Sequence, residues 1–475
     1  VKFGFIGPSY EMRSKVGDGQ KTVNLYPEMV ESQTGKNTVI LHGTPGLSTF
    51  ATVDDGPIRG LFKSDENGGR VIAVGREQVW DVDSLGATTA LGSVLDDNKP
   101  ASISFNGSQY LIISGGKGYI LSGTTLTQIA DADFPAVVTM GCYLDSYFIV
   151  NEQDTQKFYI SSVTDGTAWN ALEFASAESS PDTLKAIYPN HAELWLFGSE
   201  RTEVWYNSGN LDFPFERVQG SLIEQGIDAI NSIAIVANSL MWLGASRRGS
   251  GVVWRAEGFQ PTRVSNHAVE TAIQNYSQTS DAVAYSYQAE GHEFYVLNFP
   301  AAGATWAYDA ATGLWHERGY WHPALGFQAA RGLSYVHAYG RHLLGDRETS
   351  TIHEMSLGTY TDGADPIRRL RRTPHISQEN KRLYHHQLIL DMEVGVGLQT
   401  GQGSDPKVMM RFSDDGGFNW SNTHTRSIGK VGERKKRVQF NRLGSSRDRV
   451  YEFVITDPVK VSLIDGYVEV SQGLS

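Results

Sequence analysis

The residues whose types and spacing could do chemistry are few. Ser413-Asp414-Asp415-Gly416-Gly417-Phe418-Asn419-Trp420 fits S-x-D-x-G-x-x-W through Ser413, Asp415, Gly417 and Trp420. A carboxylate at the second place accepts backbone N–H groups of its own turn while the Trp packs beneath, so the pattern predicts a structural hairpin. His385-His386 resembles a metal pair in type alone, because neighbours on a strand face opposite sides and the two rings diverge. Two basic clusters, Arg368, Arg369, Arg371, Arg372 and Arg434, Lys435, Lys436, Arg437, could pair with carboxylates or phosphates. Neither is interleaved with aromatics, which argues against a single-strand stacking platform. No P-loop, G-x-S-x-G, H-E-x-x-H or C-x-x-C is present, and Gly115-Gly116-Lys117-Gly118 lacks the Ser/Thr and helix that should follow. No catalytic, cofactor or metal set is expected.

The elements that must position these residues are short strands. Phe197–Ile227 reads as an inner hairpin and a crossing: Leu194 and Leu196, then Val204, Trp205 and Tyr206, are split by Gly198-Ser199-Glu200-Arg201. Similar hairpins end near Trp80, Tyr119, Tyr159, Trp205, Trp254, Trp306 and His353, at intervals of 39 to 52 residues. Repeats of ~40–50 residues built from four strands are propeller blades, and the aromatics at strand ends fill the gaps between blades. Six hairpins are clear and a seventh, near Leu333–Met355, is weaker, so six blades are expected, or seven if that hairpin forms one. One short helix is predicted over Ala268–Ile273, capped from Ser265-Asn266.

The flanks differ. Residues 1–56 are punctuated by Gly7-Pro8, Gly17-Asp18-Gly19 and Gly43-Thr44-Pro45-Gly46 and read as an irregular lead-in packing with the C-terminal part, with strands only at Thr22–Leu25 and Thr38–Leu41. Residues 57–365 carry the propeller. Residues 366–475 alternate cleanly in strands at Leu383–Leu390, Lys407–Phe412, Arg437–Phe440, Val450–Ile455, Val459–Leu463 and Tyr467–Val470, the signature of a compact antiparallel sandwich. Within it Tyr451, Phe453 and Ile455 are read as the core face and Glu452 as solvent-facing. The fold class is all-β: a propeller followed by a β-sandwich platform.

Charge divides the chain in the same place. The net −12 conceals +5 over Asp365–Ser475, with 18 Lys and Arg against 13 Asp and Glu, and −17 over the rest, with 23 against 40. An acidic body is a poor phosphate binder, and the split implies different partners for the two parts. No apolar run nears the ~18 residues of a membrane span, so a soluble chain is expected. The single cysteine, Cys142, has the neighbours of a buried strand residue and fits a reducing compartment.

Four stretches resemble the tail nozzles, or packaged-DNA stabilisation proteins, of short-tailed phages. They are Val23–Glu28 with His42–Leu47, Ala177-Glu178-Ser179-Ser180-Pro181-Asp182, the Phe197–Ile227 segment with its Gly220-Ser221-Leu222-Ile223-Glu224-Gln225-Gly226-Ile227, and Lys435–Val470 preceded by Ser413–Trp420. The resemblance implies a structural virion protein of the phage tail, made in the host cytoplasm. It further implies a homohexameric ring below the portal and its adaptor ring, which retains packaged DNA. Duplex DNA would leave through that ring without sequence-specific contacts, and a tail needle, fibres or tailspikes would attach. The alternative is a glycan-binding or sialidase-like propeller, since the Ser413–Trp420 pattern is familiar there. A sialidase also needs an arginine cluster and a Tyr/Glu nucleophile pair, which the residues do not assemble.

Overall fold

The structure is a computed structural model and describes residues 3–32, 36–65, 69–177, 182–246 and 249–473. Most of the Ala177–Asp182 block, residues 178–181, therefore lies outside the described residues.

Seven antiparallel blades form a closed propeller. Blade 1 consists of Gly60–Ser64, Arg70–Val74, Gln78–Val82 and Thr88–Ser93. Blades 2 to 6 follow in chain order over residues 102–128, 138–176, 184–217, 226–263 and 283–318. Blade 7 takes Gly332–Ala338, Arg341–Asp346 and Thr351–Ser356 from this region, but its fourth strand is Gly46–Thr52. Of the two blade numbers left open by the sequence, seven is the one that forms. The last hairpin looked weak because its fourth strand comes from the other end of the chain. Gly332–Ala338 lies against Gly60–Ser64, which brings the last blade onto the first.

The blade strands read as continuous apolar runs because each blade is covered on both faces. In Gln109–Ser114, Tyr110 and Ile112 pack with Ile72 and Val74 of blade 1, while Leu111 and Ile113 pack with Phe148 and Val150 of blade 3. Alternate side chains of one strand therefore serve two interfaces. At roughly 1.5–3 kcal/mol per buried aliphatic side chain, such strands hold the ring without any disulfide. Cys142 is one of these core residues, and burial pushes its thiol pKa up. The predicted helix forms as His267–Gln274, with the Asn266 side chain accepting from the Val269 N–H at 3.0 Å.

The Phe197–Ile227 words have a physical origin in blade 4. Asp182 caps the turn between Glu193–Gly198 and Thr202–Asn207, accepting from the N–H groups of Ser199 (3.0 Å), Glu200 (2.8 Å) and Arg201 (2.9 Å). The crossing to blade 5 then runs so close to this turn that a Cβ on Gly226 would sit 2.5 Å from Gly198 O. Only glycine fits there.

The lead-in is not irregular: Gly19–Val23, Leu25–Met29 and Val39–Gly43 are sandwich strands, in addition to the blade-7 strand. One sandwich sheet runs Leu25–Met29, Val39–Gly43, Ser462–Gln472, Leu383–Met392, Val438–Asn441. The two strands expected at 459–470 are thus one. The second sheet is continuous with blade 6. Its outer strand Leu314–Arg318 pairs in parallel with Gly19–Val23, which pairs with Arg369–Arg372, then Asp448–Ile455, Lys407–Ser413 and His424–Ser427. Between the sheets lies a core that includes Phe5, Leu41, Leu388, Met410, Phe440, Phe453 and Leu463.

Candidate docking surface

The first basic cluster does not form a surface. Arg369–Arg372 is an interior strand of the second sheet, so alternate side chains enter opposite buried layers. Arg371 is fully buried and gathers the lead-in. Its Nε donates to Phe5 O (2.6 Å), Nη1 to Pro8 O (3.2 Å) and Thr22 Oγ1 (2.9 Å), and Nη2 to Gln20 Oε1 (2.7 Å). Burial lowers its pKa to about 9, so it stays charged at neutral pH. Arg368 is half-buried, with its guanidinium over the Trp321 ring at 4.2 Å. Arg369 is buried at the junction with the propeller. Arg371 and Arg372 bond the platform together, and none of the four arginines is fully exposed.

Arg372 carries the clearest electrostatic work. It donates to Glu452 Oε2 from Nε (3.0 Å) and Nη2 (2.9 Å), and Arg411 Nε donates to the other carboxylate oxygen at 2.7 Å. Glu452 is wholly buried, contrary to its expected solvent-facing position, because its register partners on the two flanking strands, Arg372 and Arg411, close over it. The signal available in sequence was the cationic partners at 372 and 411.

Trp420 lies beneath both guanidinium groups, at 4.5 Å from Arg411 and 5.1 Å from Arg372. It belongs to the S-x-D-x-G-x-x-W hairpin, whose geometry is that of a structural turn. Ser413 Oγ donates to Asp415 Oδ1 (2.7 Å) and accepts from Gly417 N (2.8 Å), and Trp420 Nε1 donates to Gly417 O (3.0 Å). Asp415 accepts from the N–H groups of Asn419 and Phe418, and these bonds, the Asn419 one foremost, hold its pKa at about 2. The same device recurs in blade 3, where Asp165 accepts from Thr167 N (3.0 Å) and Trp169 Nε1 donates to Gly166 O (2.8 Å). Its spacing departs from the pattern by one residue, which hid it in the sequence.

His385 and His386 diverge. His385 is buried, with Nε2 against Ser446 Oγ and Nδ1 against the Tyr451 hydroxyl, while His386 is exposed. Burial, and then the Arg449 charge, hold His385 neutral with a pKa of about 4. Between pH 6.5 and 4 the unfolded chain therefore binds a proton that the folded chain refuses, so stability falls on acidification by about 3 kcal/mol. Melting curves of His385→Gln are expected to show lower stability at neutral pH but a shallower loss below pH 6.5. Parallel curves for the two proteins would exclude this histidine as the source.

The second cluster is different. Arg434, Lys435, Lys436 and Arg437 are all exposed, on the loop between His424–Ser427 and Val438–Asn441, together with Lys430. The loop's one carboxylate, Glu433, is also exposed and accepts from the Lys430 N–H at 3.0 Å, leaving the cations in excess. Arg442 is exposed at the other end of the edge strand. The platform thus presents a basic rim, while the propeller's own central cavity, about 490 Å³, is lined by apolar and polar groups alike, Phe62, Ile103, Asn231 and Ser334 among them. That volume is on the scale of a small-molecule pocket and admits no duplex. Among the described residues no group of three His, Cys, Asp or Glu could hold a metal ion, and no helix is long and apolar enough to cross a membrane.

The fold and this surface define a propeller–sandwich protein whose platform is built from both ends of the chain. Residues 19–360 match the family model described as bacteriophage P22 Gp10, beta-propeller, and residues 368–471 match bacteriophage P22 Gp10, beta-sandwich. The chain belongs to this family, the tail nozzle or packaged-DNA stabilisation proteins, and is a structural protein of the phage tail, placed in the virion. No curated protein sequence matches it. Among solved structures it is similar to the N-terminal domain of Nup159, at 7% identity and TM-score 0.42 over 71% of this chain and 99% of that one. It is also similar to virginiamycin B lyase from Staphylococcus aureus, at 8% identity and TM-score 0.45 over 66% of this chain and 98% of that one. At these overlaps neither bears on what the chain does.

Proposed function

We propose that six copies of the chain form the nozzle ring of a short tail, docked beneath the portal and its adaptor ring, where the ring retains packaged DNA and later forms its exit channel. The observation that carries the docking is the exposed basic loop on an otherwise acidic molecule. Charges on such a rim steer association and set register with an acidic partner. DNA passes between copies, around the ring axis, because the cavity of a single propeller is too small for it. The acidic balance of the first 364 residues suits that passage, since a wall that neutralised phosphates would hold the duplex by counterion release. A needle, fibres or tailspikes would attach to the same ring.

The test is reversal of the loop: Arg434→Glu, Lys435→Glu, Lys436→Glu and Arg437→Glu together, followed by co-sedimentation with portal–adaptor complexes at two ionic strengths. Because the side chains are exposed, the fold should be unchanged. Docking is expected to weaken on the order of tenfold or more, with the gap from the unaltered protein widening at low salt, where repulsion is least screened. Equal docking of both proteins at both salts would remove the loop from this role.

A further inference from the structure

Two histidines that a turn separates in sequence meet on blade 7. Tyr339 and Gly340 both have positive φ, 57° and 71°, as in a two-residue hairpin turn, so Ala338 pairs with Arg341 and His337 with His342. The pair flanking such a turn exchanges hydrogen bonds, which makes the next pair the non-hydrogen-bonded kind, with Cα atoms ~4.5 Å apart and side chains closest. The two rings therefore share one face of the blade. Their centroids lie 5.1 Å apart with the ring planes at 52°. Two imidazoles on one tetrahedral ion, with bonds of ~2.0–2.1 Å, have centroids roughly 5 Å apart, so the pair has the separation of a chelate.

His342 is also prepared as a ligand. Its Nδ1 is 2.8 Å from the Tyr335 hydroxyl, which leaves Nε2 as the coordinating atom, and an outer bond of this kind fixes the ring at metal-bound histidines. Burial first, and then His337, hold its pKa below the usual histidine value, so at neutral pH the ring has a lone pair to give. His337 is exposed, and among the described residues its ring has no hydrogen-bond or ion-pair partner. The surroundings favour a cation. The two rings line a cavity of about 430 Å³ between blades 6 and 7 with Ser286, Tyr287, Gln288, Glu293 and Tyr335, a wall that holds one carboxylate and no Lys or Arg. Glu293 accepts from the Ala237 N–H (2.7 Å) and from Gln288 Nε2 (3.0 Å), so it supplies charge rather than a ligand. Arg341, beside His342 in sequence, is turned to Glu354 and the Phe50 ring.

We propose that His337 and His342 form a two-histidine chelate for a divalent transition ion of the zinc class, with water filling the remaining positions. Imidazole suits such ions, whereas Mg²⁺ and Ca²⁺ take oxygen ligands. The bound ion would pin the hairpin of blade 7 beside the central cavity, because Tyr335 and His337 line both cavities.

The experiment is calorimetric titration of the full chain with Zn²⁺ and, separately, with Mg²⁺ at neutral pH. Saturable binding is expected with Zn²⁺ and none with Mg²⁺. His337→Ala and His342→Ala should each weaken Zn²⁺ binding about tenfold or more, since even the outer partner of a metal ligand is worth ~10–100-fold in affinity. His386→Ala, which removes an exposed histidine of the platform, should leave it unchanged and controls for ions held by scattered imidazoles. Should His342→Ala fail to fold, the exposed His337→Ala decides. Absence of saturable Zn²⁺ binding overturns the proposal, and so does an affinity that either variant of the pair leaves unchanged, because one imidazole would then suffice. Equal binding of Mg²⁺ would place the ion on carboxylates, and an equal loss in His386→Ala would place it elsewhere; either result overturns the proposal as well.

Discussion

Arg371→Met is expected to destabilise the platform by about 3–5 kcal/mol, a loss comparable to breaking a buried ion pair. The methionine matches the stem in volume and replaces no hydrogen bond. Two lead-in carbonyls, Phe5 O and Pro8 O, and the side chains of Thr22 and Gln20 lose a charged donor in a place that water does not reach. Each buried acceptor left unsatisfied costs ~1–3 kcal/mol. The desolvation cost that Arg371 itself bears is relieved in the variant, which keeps the total below the sum of the four bonds. Thermal unfolding of the variant beside Arg434→Met, an exposed control, measures the effect. A difference of less than about 0.5 kcal/mol between the two would mean that the lead-in is held by its strand pairing alone.

Glu452→Gln is expected to cost about 3 kcal/mol, since it leaves two guanidinium groups facing a neutral amide. Arg411 is about one-third exposed and can turn to water, so most of the penalty falls on Arg372, which is 14% exposed. The decisive comparison is Glu452→Leu combined with Arg372→Leu. Removing the buried carboxylate with its better-buried partner should recover much of the loss, because a well-packed apolar replacement avoids desolvating the charges. Trp420 fluorescence should follow this unfolding, as its ring lies under both guanidinium groups. A double variant no more stable than Glu452→Gln would show that the ion pair, rather than its desolvation, dominates.

The architecture was legible where the pattern is local. Hairpins with apolar strands and a tight turn, the capped helix and the Ser413–Trp420 turn all follow from residues close together in sequence, and all stand where they were read. What escaped the reading depends on partners far away. Gly46–Thr52 carries little alternation of its own and becomes a blade strand only against Thr351–Ser356. The arginines at 368–372 look like a surface in a string of letters, because charge is the best local sign of exposure. The acceptors of Arg371 and Arg372 come from residues 5–22 and from Glu452. Arg434–Arg437 has the same composition and remains on the surface, since no sheet covers its loop.

The long-range pairings also set an order of events in time. Ala51 waits for Ile352, and Leu41 for Leu463. With a ribosome adding ~5–20 residues per second, the early strands stay without their partners for about 15 to 85 seconds. During that interval blades 1 to 6 can stack on one another while the circle stays open, and Val39–Gly43 and Gly46–Thr52 present unpaired strand edges. Such edges invite pairing with other chains. Closure is therefore governed by Thr351–Ser356 and Ser462–Gln472, and a chain that has not yet reached them exposes adhesive strands in a cell that holds many copies of the same sequence.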